Sequence, residues 1–483
     1  MNRVVCVLFI LMSLLALTAC GTLEVGIERT ATPTATAVAA ATATPAPTVT
    51  AAMIVLATDA ARPTADVATP TQAATPTPAL QPTVSPTPAP TLTPTRESSP
   101  LRVAFVKDGN VWLWTERPAL SADGTSDAEG QEATALTSAG GVSDVKISDD
   151  GPIVAFIRGL ELWAVNSDAT GERTLISIED IAAMVEPGDP GVRLYHFEWV
   201  PGTHVVAFNT HVHLEVGLVL NDDLRLVDAD TLEQTVLLPR GKGGQFYYSP
   251  DGRQIAVVRS GTITLIDADG GNPRDALTYT PPVTRSEYQY YARPVWAADS
   301  ESLRVTIPPA DPYAQPPQFT TVWHTRTDGR PAGLIATIAA KPLSQPAFSP
   351  DLSHVAYLEQ PEGALPGSSE GSLLITDLDS KETVTYHPQA GLVYGWAPDS
   401  QHFAFLTHPQ LPQAQIGKLS DDPVPAYGDP DVAAIDVLWV DADRYFFIAI
   451  TSQGRSLLLG GTGGTSTVVA TVTGRSLPYD FAR

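Results

Sequence analysis

The chain has 483 residues, with 29 basic and 53 acidic side chains and a net charge of −24. That balance repels nucleic acid and other anionic polymers and excludes them as partners. Its two cysteines, Cys6 and Cys20, exclude a disulfide scaffold and leave core burial as the source of stability.

The N-terminus reads as an export signal over residues 1–19. Arg3 supplies a positive start, residues 4–17 form an apolar run, and Leu17-Thr18-Ala19 leads into Cys20. The run is shorter than the roughly 20 residues that span a bilayer. Leu17-Thr18-Ala19-Cys20 resembles the bacterial lipobox, which implies cleavage before Cys20 and acylation of that cysteine, palmitate included. Two or three acyl chains make attachment effectively permanent. The mature chain is therefore expected on the outer face of the cell membrane, or on the periplasmic or outer-membrane side of a two-membrane cell.

Residues 20–100 are built mostly of Thr, Pro and Ala, as in Ala31-Thr32-Pro33-Thr34-Ala35-Thr36. Proline removes amide donors, and the scarcity of large apolar groups leaves nothing to offset the entropy of ordering. This stretch is expected to be a disordered tether with a reach on the order of 200 Å at about 3.1 Å per residue.

From residue 101 to 483 the pattern changes to alternating apolar residues and turn clusters, and it repeats. The clearest copy is Tyr248-Ser249-Pro250-Asp251-Gly252-Arg253-Gln254-Ile255-Ala256-Val257; others start at Phe348, Trp396 and Trp199. Aligning the turns gives a column of Ala155, Ala207, Ala256, Arg304, Ala356, Ala404 and Phe447. A period of roughly 43 to 52 residues belongs to four-stranded propeller blades. Each unit reads as strand a ending in an aromatic residue, a Pro-Asp-Gly type turn, strands b and c, an Asp-rich turn, then strand d. Residues 101–138 lack a strand a, while Leu477-Pro478-Tyr479-Asp480-Phe481-Ala482 is an orphan one. Pairing the two closes the ring and removes open sheet edges. The expectation is an all-β chain with a single β-propeller of eight blades, or seven if residues 411–432 do not make a full blade.

The turns Ser249-Pro250-Asp251-Gly252 and Ser349-Pro350-Asp351 resemble the WD40-like (PD40) repeat of TolB and of the propeller domains of prolyl oligopeptidases and dipeptidyl peptidases. The resemblance implies the fold; its motif residues form turns and fill cores, so it says little about function. Gly-His and Trp-Asp dipeptides are absent, which makes true WD40 repeats a poorer match.

Added length falls in b–c connections (residues 209–223, 308–318 and 360–371) and d–a connections (178–193 and 280–293), which share one rim of a propeller. A polar c–d loop, residues 115–132, is the exception. The binding surface is expected on the b–c/d–a face. Tyr288, Tyr290 and Tyr291, with Tyr313 and Phe319 nearby, offer amphipathic contact area; a self-packed loop is the alternative. Asn209, His211, His213 and Glu215 alternate along an extended stretch, so His211, His213 and Glu215 are candidate ligands for a divalent metal, against the plainer reading of a solvated hairpin flank. No cofactor is otherwise expected. Gly367-Ser368-Ser369-Glu370-Gly371 fits a nucleophile pattern but lacks the strand-to-helix setting. The turns at Asp228, Asp267 and Asp377 are expected to cap hairpins.

Residues 101–483 carry 25 basic and 48 acidic side chains, a net −23. A neutral glycan, a peptide or a cationic protein is the favoured partner, and the chain is expected to be monomeric. The repeat fills this region and leaves no stretch for the hydrolase domain that follows the propeller in the peptidase families. A non-catalytic binding or scaffolding module is therefore the leading expectation, with a propeller-face hydrolase or lyase acting on extracellular glycan or peptide as the alternative.

Overall fold

The computed structural model describes residues 100–116, 132–214, 217–286, 288–314, 318–359, 370–408 and 410–483. The export signal, Cys20 and the tether up to residue 99 lie outside the described residues, as does most of the 115–132 loop. No helix among the described residues is long and apolar enough to cross a membrane.

The strands fall into consecutive antiparallel groups of four, the third of which carries a fifth short strand, Gly217–Leu220. The first group orders Tyr479–Ala482, Arg102–Lys107, Asn110–Thr115 and Thr134–Ala135. Its inner strand thus comes from the far end of the chain, registered Phe481 on Val103 and Asp480 on Ala104. The second starts at Val142–Ile147, the third at Val192–Trp199, the fourth at Gln245–Tyr248, the fifth at Val295–Trp296 and the sixth at Ala347–Phe348. Residues 411–432 are not irregular: Gln413–Lys418 and Asp421–Pro425 complete the group that starts at Leu392–Trp396. The final group starts at Ala433–Trp439 and joins the previous one through a single parallel pair, Gln413 and Ala434. Four-stranded sheets closed by the terminal strand make a β-propeller.

Second strands read as near-continuous apolar runs, as in Ile153–Arg158, Gln254–Arg259 and His354–Glu359, because sheets pack against both of their faces. Outermost strands such as Gln234–Leu238 are exposed along much of their length. The small-residue column occupies the second strands at no exposure: Ala155, Ala207, Ala256, Ala356 and Ala404. In the last group the sequence alignment needs correcting by one residue. Trp439 pairs with Tyr445, so Phe446 takes the column position and not Phe447, because the turn after Trp439 is one residue shorter than the turn after Trp396.

The turns are built as their residue types require. Asp251 Oδ1 accepts from Ser249 Oγ at 2.6 Å and from the Arg253 N–H at 3.1 Å. The next residue, Gly252, has φ +69°. Glycine is the default there, yet Leu352, Ser300 and Ser400 hold equivalent positions at φ 59°, 62° and 59°. The two serines offset that strain by accepting backbone N–H groups from the preceding group, Asp251 N on Ser300 Oγ at 3.2 Å and Asp351 N on Ser400 Oγ at 3.0 Å. Asp228 and Asp377 cap their c–d turns, each accepting two backbone N–H groups at 2.8 Å. The 178–193 connection contains a short helix, Ile178–Ala183, opened by a reciprocal capping box between Ser177 and Asp180.

Closure rests on more than strand pairing. Phe481 packs on Phe446 at 5.6 Å between ring centroids, the Tyr479 hydroxyl donates to Asp436 O at 2.9 Å, and Val106 N donates to Pro478 O at 2.9 Å. Deleting residues 477–483 should therefore cost at least about 5 kcal/mol of stability, since it removes buried apolar area and unpairs the Arg102–Lys107 edge. Deleting seven residues within 60–90 should leave the melting temperature unchanged. Calorimetry on both truncations checks this.

Candidate functional site in the central channel

A cavity of about 700 Å3 opens along the inner strands of the third, fourth and fifth groups. The third group contributes Tyr195, His196, Glu198 and Asn209, the fourth Gln245 and Tyr247, and the fifth Arg293. Trp199 and Trp296 complete an aromatic wall. Tyr195 lies at a bulge, where the register of Val192–Trp199 on Val205–Leu214 slips between Leu194 and His196. A bulge re-aims a side chain, and Tyr195 is left 37% exposed beside the cavity.

The polar groups differ in how far they are satisfied. Glu198 is held by Lys146 at 2.9 Å and approached by His196 Nε2 at 3.4 Å. Tyr247 donates its hydroxyl to Gln245 Oε1 at 3.1 Å, and burial pushes its pKa up to about 12. Burial holds His196 below the ordinary imidazole value against the pull of Glu198, so the ring is neutral near pH 7. Asn209 is 1% exposed. Its Nδ2 donates to Gly244 O at 2.9 Å, which fixes the amide's orientation and leaves Oδ1 with no partner among the described residues. Gly244 is compelled by the close approach of a neighbour: a Cβ there would lie 2.2 Å from Val258 O. Arg293 is exposed and makes no hydrogen bond or ion pair among the described residues. Its charge acts to lower the pKa values of His196, Tyr247 and Tyr288, which surround it.

Beside the cavity a second set of charges faces the channel. Asp480 accepts the Ile147 N–H at 3.0 Å, and burial pushes its pKa up to about 6 although Lys146 favours the charge. Burial opposes the charge on Lys146, but Glu198 and Asp480 outweigh it and raise its pKa. Asp144 is raised by burial as well.

The tyrosines singled out in sequence divide. Tyr288 is 51% exposed and Phe319 60%. Tyr291, however, is 7% exposed within the core cluster of Trp296, Leu303 and Leu277, and its hydroxyl reaches Asp222 Oδ1 at 3.1 Å. Tyr290 packs on the same cluster and donates to Thr306 O at 3.3 Å. These two are packing residues, because the 280–293 connection folds inward over the sheet edge. Tyr313 is half-buried with the Arg285 guanidinium 4.5 Å over its ring. Val283 N donates to Ala310 O at 2.9 Å, which brings this d–a connection and the adjacent b–c connection together on one rim, as expected.

The strand bearing His211 and His213 is solvated only towards its end, where His213 is exposed. Residues 209–212 are buried on both faces, with Val192–Trp199 on one side and Gly217–Leu220 on the other. His211 is 8% exposed, its pKa is lowered by burial, and its ring lies 6.1 Å from that of His213. Among the described residues no three His, Cys, Asp or Glu side chains gather as a metal site. Glu215 and residues 367–369 lie outside the described residues.

The channel residues escaped the sequence reading although a signal for them existed. The inner-strand position just before the closing aromatic or apolar residue, opposite Ala104 and the column on the second strands, holds in group order Asp480, Lys146, Glu198, Tyr247, Val295, Ala347, Gly395 and Leu438. It is polar through the first four groups and apolar or small through the rest. Aligning it beside the alanine column would have exposed the asymmetry.

No protein-family model matches the chain, and no curated protein matches it. Among solved structures it is similar to an oligogalacturonate lyase from Vibrio parahaemolyticus, at 13% identity and a TM-score of 0.43, covering 64% of this chain and 83% of that one. It is similar to dipeptidyl peptidase 4 from Porphyromonas gingivalis, at 13% identity and a TM-score of 0.47, covering 68% of this chain and 53% of that one, about half of the peptidase. The β-propeller domain of the Trilobed protease from Pyrococcus furiosus matches at 12% identity and a TM-score of 0.41, over 58% of this chain and 85% of that domain. The shared feature is the propeller. What those proteins act on is theirs.

The raised Asp480 carboxyl gives a signed expectation. The folded protein holds a proton that the unfolded chain releases above its ordinary pKa of 3.8. Stability from this group is full below that value and is lost as pH rises through about 6. Asp480→Asn keeps an acceptor for Ile147 N and removes the titration. Relative to the parent, its stability should improve from pH 4 to pH 7.5, as read from urea unfolding at both values.

Proposed function

We propose that the chain is a surface-anchored lipoprotein, acylated at Cys20, whose propeller serves as a non-catalytic binding module for a peptide, a protein segment or a neutral glycan. The observation that supports this reading is the channel cavity: an aromatic wall set with polar groups, two of which, Asn209 Oδ1 and Arg293, have no partner among the described residues. Concave, largely apolar sites with a few converging polar groups are the usual form of a ligand pocket. The Thr/Pro/Ala stretch then acts as a spacer between membrane and domain.

A second reading, a propeller-face enzyme acting on extracellular glycan or peptide, is favoured by the titratable cluster of Asp144, Lys146, His196, Glu198 and Asp480 beside the same cavity. It ranks second because Glu198 is held by Lys146 and Asp480 by the Ile147 N–H, so both carboxylates already serve the inner ring.

The test is capture by the full chain in mild detergent on peptide and glycan arrays, followed by product analysis of each captured species. Capture without turnover supports the module, and released product supports the enzyme. Tyr195→Ala should weaken capture about tenfold while moving the melting temperature by no more than a few degrees, because the side chain is partly exposed. For the anchor, Cys20→Ser should leave an uncleaved precursor that no longer incorporates labelled palmitate in growing cells; normal labelling would remove the lipoprotein assignment.

A further inference from the structure

We infer that the channel cavity recognises the free C-terminal carboxylate of a peptide or protein chain, with Arg293 as the carboxylate clamp and Asn209 Oδ1 as the acceptor for a backbone N–H of its terminal residues. The inference rests on the binding reading above and narrows it to one ligand chemistry.

Arg293 stands two residues before the fifth inner strand, Val295–Trp296, bordering the cavity, with a guanidinium that no carboxylate among the described residues engages. The acidic group nearest in kind, Glu198, is already paired with Lys146 at 2.9 Å. A planar guanidinium free on a cavity wall is matched by a carboxylate, which it binds through two parallel hydrogen bonds. Deeper in, Asn209 offers the complementary requirement. Its amide cannot turn over without facing oxygen to Gly244 O, so Oδ1 stays without a donor at the cavity wall, just beneath its surface. Neutral His196 and the rings of Tyr195 and Tyr247 supply an uncharged part of the wall, and the Glu198 carboxylate in the same lining is compensated by Lys146. A chain terminus supplies a carboxylate, nearby N–H donors and a side chain for that wall, and capture of a terminal carboxylate is a known recognition mode.

An acidic polysaccharide would also offer carboxylates and hydroxyl donors. Charge decides against it. The domain carries −23, so a polymer with a carboxylate on every unit meets repulsion along its length, whereas a peptide has one at its end and draws attraction from any basic residues.

The experiment passes two pools of N-acetylated random hexapeptides, one with free and one with amidated C-termini, over the immobilised full chain. Trimeric uronic acid and a neutral oligosaccharide are run as separate arms. Retention of the free-acid pool about tenfold or more above the amide pool is expected, the scale of a charge-assisted hydrogen-bonded pair. Arg293→Gln should equalise the pools and Arg293→Lys should keep part of the preference, both with the parent melting temperature, since the side chain is exposed. Equal retention of both pools, or capture of the uronate trimer in their place, overturns the carboxylate assignment. Capture of only the neutral oligosaccharide, unchanged in Arg293→Gln, also overturns it while leaving the binding module standing. Capture in no arm removes both.

Discussion

The ring depends on one repeated contact, an indole N–H that ties each tryptophan-bearing inner strand to the strand before it. Trp199 donates to Lys146 O at 3.1 Å, Trp296 to Tyr247 O at 3.0 Å, Trp396 to Ala347 O at 2.9 Å and Trp439 to Gly395 O at 3.3 Å. Inner strands have a neighbour on only one side within their own sheet, so their outward backbone groups face the channel. The indoles satisfy carbonyls there and fill the wedge between sheets with the same side chain. Where the closing strand ends in Phe481, which has no N–H to give, the Asp480 carboxylate takes over by accepting the Ile147 N–H.

This contact explains why the channel is free to vary. The residue that lends its carbonyl to the indole keeps its side chain uncommitted, so its identity is decided by what it opposes and faces. Lys146, Glu198 and Tyr247 pair with Ala155, Ala207 and Ala256, and the small partner leaves room for a long side chain. Val295 pairs with Arg304 and Leu438 with Phe446, where bulk on the second strand goes with a shorter apolar residue on the first. Ala347 and Gly395 stay small although they too oppose alanines, Ala356 and Ala404, so opposing bulk accounts for only part of the division into a polar half and an apolar half, and the cavity lies where the halves meet.

Turn chemistry and periodicity made the fold legible in sequence. Ser249-Pro250-Asp251-Gly252 encodes its own hydrogen bonds, and the terminal strand was placed on Arg102–Lys107 because a ring cannot be left with an open edge. Register in the last group was misjudged by one residue because its turn is short, which alternation alone does not reveal. The site is less legible, because connection length does not track the inner-strand residues that line it. Tyr290 and Tyr291 read as loop residues by position, but two consecutive aromatic rings buried more area by folding onto Trp296 and Leu303 than by facing water. His211 misleads in the same sense: its strand is flanked on both sides by other strands, a pairing that depends on the hairpin with residues 217–220 and not on the histidine spacing.

The position of the cavity follows from unequal inner strands. Val192–Trp199 has eight residues, Gln245–Tyr248 four and Val295–Trp296 two. All three end at the same turn level, so the shortfall accumulates at the opposite end, where the long strand stands without inner-strand neighbours of its own height. The 280–293 connection partly covers that gap with Tyr290 and Tyr291, and Arg293 emerges where it rejoins the sheet. Asn209 belongs to the part of Val205–Leu214 that pairs with the tall strand, opposite His196. The same height that opens the space therefore carries a buried amide to its edge. A buried carbonyl oxygen without a donor costs about 1–3 kcal/mol, and here it is one of three unpaired buried atoms in the same hairpin, with His211 Nδ1 and Asn221 Oδ1, beside the bonds that Thr210 makes to Asp223 and Asn221 makes to Thr210. Of these, Asn209 Oδ1 belongs to a residue that borders the cavity, so a small local shift lets a donor brought by a ligand meet it.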